Sequence, residues 1–166
     1  FVFRKVPPGS GYAVRLGGAK PIEQRWPLSV KSVAESTPPP GFHAGQKLKA
    51  GYNYLTMRDG VTLSAYVTLP KSPKKGPWPT VVVYSGYSPS KPGRPLEGYE
   101  VLCGNLPALC DKPDDGTAFI ASLFDYATVS VNIRGTGCSG GAYDYFETMQ
   151  VLDGYDVIEI VAAQEW

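Results

Sequence analysis

The 166 residues carry a formal net charge of +1, with 43% hydrophobic and 12% aromatic side chains, which is enough apolar material for one core of ordinary size. Because no basic run is concentrated along the chain, the charge gives no reason to expect nucleic acid or an anionic membrane as a partner. No stretch approaches the roughly 20 apolar residues of a membrane span, so we expect a globular segment without one.

Residues 1–50 are rich in proline and glycine, and the triple proline at 38–40 must be extended. We interpret them as an amino-terminal arm and Pro-rich linker that leads into a domain over residues 51–166. Short alternating segments at 12–16 and 27–33 predict edge strands whose pairing stays open. Since the chain begins at Phe1 and ends at Trp166 directly after a helical pattern, we expect a piece of a longer protein.

The next segments predict strands. Alternating residues at 53–58 and 62–69 flank Asp59-Gly60, a turn signal, and predict a β-hairpin. The continuous apolar run at 80–85 is typical of a strand buried on both faces of a parallel sheet. The connection at 86–115 is too long and too rich in proline for an ordinary loop, so we interpret it as a functional excursion.

The pattern then alternates between helix and strand. It predicts a helix at 117–127, a buried strand at 127–133 and a helix at 149–166. In the last helix apolar residues recur at helical spacing: Val151, Leu152, Tyr155, Ile158 and Val161 or Ala162. Strand, helix, strand, helix forms a right-handed parallel crossover, so the fold class is α/β.

Cysteine spacing leaves two alternatives open. Cys103 and Cys110 could close a small disulfide loop in an exported protein, or stay reduced thiols, because the sequence does not reveal the compartment. Their spacing is wider than a metal-binding C-x2-4-C hook, and His43, the single histidine, lies far upstream among prolines. We therefore predict no metal site and no cofactor.

Residues 137–141, GCSGG, satisfy the G-x-S-x-G pattern of a nucleophile elbow. An elbow needs its serine in a tight turn between a buried strand and a helix. Here a long glycine-rich loop surrounds Ser139, and no histidine follows it. We interpret Ser139 as a solvated loop residue. A thiol enzyme that uses Cys138 would need His43 to fold across to it, and we rank that alternative last.

Three charged residues in the carboxyl-terminal half of the chain have structural interpretations. Arg134 directly follows a buried strand, where its guanidinium can tie neighbouring loops together through bidentate hydrogen bonds. Asp153 and Asp156 lie near the start of the last predicted helix. We interpret them as favourable partners of the helix dipole rather than as catalytic carboxylates.

Four segments in this order resemble the X-Pro dipeptidyl-peptidase and cocaine-esterase-like family of serine hydrolases: GYNYLTMRDGVTLSAYVTLP, PTVVVYSGYSPS, SVNIRGTGCSGGAYDYFE and DGYDVIEIVAAQEW. The resemblance covers about residues 38–166. It implies the amino-terminal part of an α/β-hydrolase sheet, in which an antiparallel hairpin leads into parallel strands with crossover helices. It also implies that the chain is truncated before the nucleophile elbow, so that the Ser, Asp and His of the triad lie beyond Trp166.

The resemblance assigns one candidate site residue. Tyr87, after the strand at 80–85, corresponds to the tyrosine that donates its hydroxyl to the oxyanion hole, and this loop is where α/β-hydrolases supply such a donor. Tyr84 is assigned to the core. Framework roles follow for four residues: Asp59, Gly60, Arg134 and Gly135.

The implied function is hydrolysis of a small peptide or ester substrate by the intact protein through an acyl-enzyme. The resemblance implies that a helical cap domain builds most of the substrate pocket, so the choice between peptidase and esterase stays open. The oligomeric state also stays open. The alternative is a non-catalytic, β-rich module that binds carbohydrate or protein. That alternative predicts a mainly antiparallel sheet without parallel strands.

Overall fold

The structure, a computed structural model, describes residues 6–16, 22–32, 36–70, 75–87, 89–90, 117, 120–121 and 123–166. Contacts divide the chain into two compact units, Phe1–Pro39 and Pro40–Trp166. Residues 40–50 thus belong to the second unit by their contacts. The interpretation of residues 1–50 as an arm and linker stays a prediction.

The first unit contains a two-stranded antiparallel sheet. Strand β1 (Gly9–Leu16) pairs with β2 (Ile22–Val30). The strand expected at 12–16 is present, and the second begins and ends earlier than the predicted 27–33. Pro27 lies inside β2 rather than at its start, a position that proline can occupy because a two-stranded sheet has only edge strands.

The second unit contains a mixed four-stranded sheet among the described residues. Its strands are β3 (Gly51–Thr56), β4 (Thr62–Thr68), β5 (Thr80–Ser85) and β6 (Ala127–Asn132), in the order β3-β4-β6-β5. Strands β3 and β4 form the predicted antiparallel hairpin, β4 pairs antiparallel with β6, and β5 pairs parallel with β6. This sheet confirms the α/β fold class.

The hairpin turn uses the residue types that predicted it. Gly60 has φ +85°, a left-handed conformation that glycine adopts without steric penalty. The backbone N–H of Met57 donates to the carbonyl of Val61 at 2.7 Å and closes the turn. Asp59 accepts a hydrogen bond from the Val61 backbone N–H at 3.1 Å. Its other carboxylate oxygen accepts a hydrogen bond from Arg134, which follows β6.

The two parallel strands, β5 and β6, differ in their degree of burial. Strand β6 is buried along its whole length, as predicted, because it lies between β4 and β5. Strand β5 is half-buried at every position, so the expectation of burial on both faces is wrong for this strand in the described structure. The reason is its position: β5 is the terminal strand of the described sheet.

Helix α1 (Thr148–Ala162) follows β6 and ends before the predicted limit of residue 166. Its buried face differs from the apolar pattern in the sequence. Val151, Tyr155 and Ile158 are 70%, 53% and 56% exposed. The buried positions are Gln150, Asp153, Asp156, Val157, Ile160 and Val161. Two carboxylates, Asp153 and Asp156, therefore lie on the buried face, although the periodicity places neither residue there.

The hydrophobic core lies between the sheet and α1. Its largest fully buried side chains come from the hairpin, β6 and the helix: Leu55, Met57, Leu63, Val67, Val129, Val131, Val157 and Ile160. Each side chain of this size contributes about 1.5–3 kcal/mol when it leaves water. This packing fixes the carboxyl ends of β5 and β6 relative to the start of α1.

Several predictions fall partly or wholly outside the described residues. Of the helix expected at 117–127, residues 117, 120 and 121 are helical and the chain turns at 123–125. Cys103, Cys110 and most of the excursion at 86–115 are not among the described residues. In the part of the chain that the structure does describe, no helix has the length and apolar character to cross a membrane.

Asp156 joins residues 40–50 to the hairpin and the helix. Its fully buried carboxylate accepts bonds from the Arg58 guanidinium at 2.7 and 3.0 Å and from the Arg58 backbone N–H at 3.2 Å. Nε2 of His43 lies 2.8 Å from the same carboxylate. Burial alone would raise the pKa of Asp156, but the bonds from Arg58 and His43 outweigh it and hold this pKa below its usual range.

We expect this carboxylate to make the protein acid-sensitive. Because its pKa is lower in the folded state, Asp156 contributes stability that is complete above its ordinary pKa of 3.8 and is lost as the pH falls through the folded pKa. Urea unfolding of Asp156→Asn between about pH 5 and about pH 2 should show a shallower pH dependence than the wild type. The control is Glu165→Gln, because Glu165 is exposed. Equal slopes in Asp156→Asn and the wild type would contradict the assignment.

Candidate functional site

Arg134 organises the end of β6. Its Nε and Nη2 donate to the two carboxylate oxygens of Asp153 at 2.6 Å each, and its Nη1 donates to Asp59 at 3.0 Å. Arg134 is 5% exposed and Asp153 is fully buried. Burial raises the pKa of the Asp153 carboxyl, and the bonds from Arg134 oppose that rise. The predicted structural tie is confirmed, and it joins the hairpin turn, β6 and α1.

The interpretation of Asp153 and Asp156 as partners of the helix dipole is wrong. The first turn of α1 contains no acidic residue, and both aspartates lie beyond it on the buried face. Each is held by an arginine from another element, Arg134 for Asp153 and Arg58 for Asp156. A buried carboxylate needs such a partner because an unpaired charge in the interior is strongly unfavourable.

The loop after Arg134 folds back tightly on itself. Gly135 has φ +72° and its backbone N–H donates to the Gly140 carbonyl at 2.8 Å. A Cβ atom at position 135 would overlap the backbone nitrogen of Tyr143. Only glycine therefore allows the chain at 142–143 to pass against the end of β6, which supports the framework role expected for Gly135.

Ser139 is part of the framework and not a solvated residue, contrary to the sequence interpretation. Its hydroxyl donates to the Asn132 carbonyl at 2.7 Å and accepts from the Ser64 backbone N–H at 2.9 Å. The residue is half-buried. With its proton directed to a carbonyl oxygen, Ser139 is bonded as a structural hydroxyl rather than as a nucleophile facing a base.

Asn132 connects the two loops that leave the parallel strands. Its Oδ1 accepts from the backbone N–H of Ser90 at 3.1 Å and also from the Ser90 hydroxyl. Its Nδ2 donates to Thr136 Oγ1 at 3.2 Å. A Cβ atom at Gly137 would lie 2.8 Å from the same Nδ2. The buried amide thereby joins Ser90, three residues after Tyr87, to the loop that follows β6.

A cavity of about 710 Å³ opens at the carboxyl ends of β5 and β6. The carboxyl ends of parallel strands are where open α/β sheets build ligand sites, and the volume is ordinary for such a site. None of the described residues around it is charged. They are Tyr84, Ser85, Gly86, Tyr87, Ile133, Thr136, Tyr143, Tyr145, Phe146, Gln150, Val151 and Gly154.

Tyr87 and Tyr84, which both line this cavity, differ in their surroundings. Tyr87 is 96% exposed, and its backbone N–H donates to Ser85 Oγ at 3.2 Å. Its assignment as an oxyanion donor stays a prediction. Tyr84 is half-buried and its hydroxyl donates to the Gln150 carbonyl at 3.0 Å. Burial and the nearby Asp153 carboxylate raise the pKa of this phenol, in keeping with a packing role.

The structure gives no support to a thiol enzyme built from Cys138 and His43. Cys138 is an exposed free thiol. It lies near Tyr52, whose phenol pKa is raised by burial first and by Cys138 among its neighbours. His43 is bonded instead to Asp156. Sequence reasoning missed this contact because 113 positions separate its two members. Within the described ranges, no group of three or more His, Cys, Asp or Glu side chains is placed to hold a metal ion.

Comparison with solved structures defines the class of fold. Two crystal structures of a CocE/NonD family hydrolase from Staphylococcus aureus are similar to this chain, each with 24% identity and a TM-score of 0.50. The matches cover 72% and 75% of this chain but 24% and 26% of the hydrolase, so the chain spans about a quarter of that protein's length. The mixed sheet is thus that of an α/β-hydrolase fold.

Sequence comparison identifies the family to which the chain belongs. Residues 59–166 match the family described as X-Pro dipeptidyl-peptidase (S15 family). The chain therefore belongs to the X-Pro dipeptidyl-peptidase (S15) family, which confirms the resemblance seen in its motifs. No curated protein shows significant similarity to the chain.

We expect Gly135→Ala to destabilise the protein by about 3 kcal/mol, since it adds overlap with a fixed backbone to left-handed strain. The matched control is Gly60→Ala, which has a similar positive φ and nothing within 4 Å of the added Cβ. That variant should lose about 1–2 kcal/mol from strain alone. Urea unfolding measures both, and equal losses would show that the contact at Tyr143 does not hold the loop.

Proposed function

We propose that this chain is part of a serine hydrolase of the Xaa-Pro dipeptidyl-peptidase type, which hydrolyses peptide or ester bonds through an acyl-enzyme. Family membership over residues 59–166 supports the reaction class. The observation that carries the proposal is the position of Tyr87, exposed beside an uncharged cavity at the carboxyl end of a parallel strand. That edge of the sheet is where such folds assemble their catalytic groups.

Tyr87 supplies the oxyanion donor in this proposal. When a nucleophile attacks the substrate carbonyl, negative charge develops on the carbonyl oxygen, and a phenol that donates to this oxygen lowers the barrier. Such a donor works best when its position is fixed before the reaction. The backbone of Tyr87 is bonded to Ser85, and Ser90, three residues later, is bonded to Asn132, which supports such a fixed position.

The nucleophilic serine, the acid and the catalytic histidine are proposed to lie beyond residue 166 in the intact protein, so residues 1–166 alone are inactive. Two observations support this part. The Ser139 hydroxyl donates to a carbonyl, and His43, the single histidine of the chain, is bonded to buried Asp156. The alternative of a β-rich binding module predicts no parallel strands, and the parallel pairing of β5 with β6 counts against it.

A fluorophosphonate probe tests the location of the nucleophile, because it forms a covalent bond with an activated serine. We expect the isolated chain of residues 1–166 to remain unlabelled, and the full-length protein to be labelled at a serine outside it. Peptide mapping by mass spectrometry identifies the labelled residue. Labelling at Ser139 would overturn the proposed position of the triad.

Removing the Tyr87 hydroxyl tests the oxyanion role. In the full-length enzyme, Tyr87→Phe should lower kcat by about 10²–10³ with a small effect on KM, since the bond is strongest in the transition state. Tyr126→Phe is the control, because Tyr126 is also an exposed tyrosine and does not line this cavity. Unchanged kcat in Tyr87→Phe would leave Tyr87 without a catalytic role.

A further inference from the structure

Three aromatic side chains at 143–146 form a continuous surface on one side of the cavity. The rings of Tyr143 and Tyr145 are 6.0 Å apart, and those of Tyr145 and Phe146 are 4.4 Å apart, in edge-to-face arrangements. They are 46%, 69% and 83% exposed, in sequence order. We call Tyr143, Tyr145 and Phe146 the aromatic wall. Side chains of this size usually bury most of their surface, so an exposed group of three requires an explanation.

The backbone holds the aromatic wall in an unfavourable conformation. Phe146 has φ +53°, which is rare for a bulky residue and lies in a region that glycine or asparagine usually occupies. Strain of this kind persists where the surrounding structure imposes it, and it clusters at ligand-binding and catalytic sites. Gly135 and its contact with the Tyr143 backbone impose the path of this loop.

The aromatic wall and Tyr87 border the same cavity. Tyr143 and Tyr87 both line this cavity, and the pKa of the Tyr143 phenol is raised by loss of solvent and then by the neighbouring Tyr145 and Tyr87 phenols. A substrate whose carbonyl oxygen contacts Tyr87 would therefore bring its adjoining group against the rings.

The chemistry of the lining restricts that group. No described residue around the cavity is charged, so a charged group would lose water without gaining an ionic partner. Aromatic edges and faces gain most from contact with another aromatic ring, at about 0.5–1.5 kcal/mol per pair beyond the burial of area. The cavity of about 710 Å³ is large enough for a ring larger than that of proline.

We propose that Tyr143, Tyr145 and Phe146 form a substrate-specificity subsite that binds an uncharged aromatic group next to the scissile carbonyl. The inference rests on the proposed function, since it takes the cavity as the substrate site, and it adds the class of group that this site selects. The three residues recognise the substrate and take no part in bond breaking.

Binding of benzyl alcohol to the full-length protein tests the subsite without any turnover. Titration calorimetry should show binding of benzyl alcohol, with about threefold weaker binding of cyclohexylmethanol, its saturated analogue. Tyr145→Ala and Phe146→Gly should each weaken benzyl alcohol binding by about fivefold, and Tyr145→Phe should restore it to the wild-type value. The matched control is Phe124→Ala, because Phe124 is also an exposed phenylalanine (68%) and does not line this cavity.

Phe146→Gly separates loss of the ring from loss of the fold. Glycine accepts the positive φ at this position without strain, so its thermal midpoint should not fall while binding weakens. Benzyl alcohol binding that is absent, that equals cyclohexylmethanol binding, or that is unchanged in Tyr145→Ala and Phe146→Gly would overturn the inference.

Hydrolysis distinguishes this inference from the function on which it rests. The wild type should prefer 4-nitrophenyl phenylacetate to 4-nitrophenyl acetate in kcat/KM, and Phe146→Gly should reduce this preference by about fivefold. Hydrolysis of both esters without that preference would overturn the subsite and leave the proposed function standing. Binding of benzyl alcohol as described, with no hydrolysis of any ester or peptide, would support the subsite and overturn the proposed function.

Discussion

The buried guanidinium of Arg134 is the constraint on which the rest of the second unit depends. It neutralises Asp153 on the helix and bonds Asp59 in the hairpin turn, so one side chain fixes three elements. Removing one member of such a buried pair typically costs about 3–5 kcal/mol, because the remaining charge stays in the interior without a partner. The loop that forms one side of the cavity starts at the next residue, and its direction is set by this ion pair.

Around this ion pair, neutral groups complete the framework of the site. Asn132 and Ser139 direct their polar atoms toward backbone and hydroxyl groups of neighbouring segments, so the polar atoms that these bonds engage leave water without losing hydrogen bonds. The cavity is then bordered by uncharged side chains. The division places charge inside the fold and uncharged side chains at the opening.

Local features of the sequence predicted much of this fold. The Asp59-Gly60 signal identified the hairpin, the apolar run of β6 identified a buried strand, and the position of Arg134 after that strand identified the tie. The buried face of α1 was not predictable in the same way. Asp153 and Asp156 look like surface residues in any local pattern, and their burial depends on arginines that are distant in sequence. The bond between Ser139 and Ser64 was missed for the same reason, because 75 positions separate the two residues.

The ion pairs also shape how the unit must assemble. Arg134 and Asp59 are separated by 75 positions, and Arg58 and Asp156 by 98. The chain loses conformational entropy in closing these long loops before the contacts can stabilise it. Such non-local contacts slow folding relative to a chain dominated by local contacts. We therefore expect the turn of the hairpin and the middle of α1 to belong to one cooperative unit, in which backbone amides of both elements open to solvent exchange together.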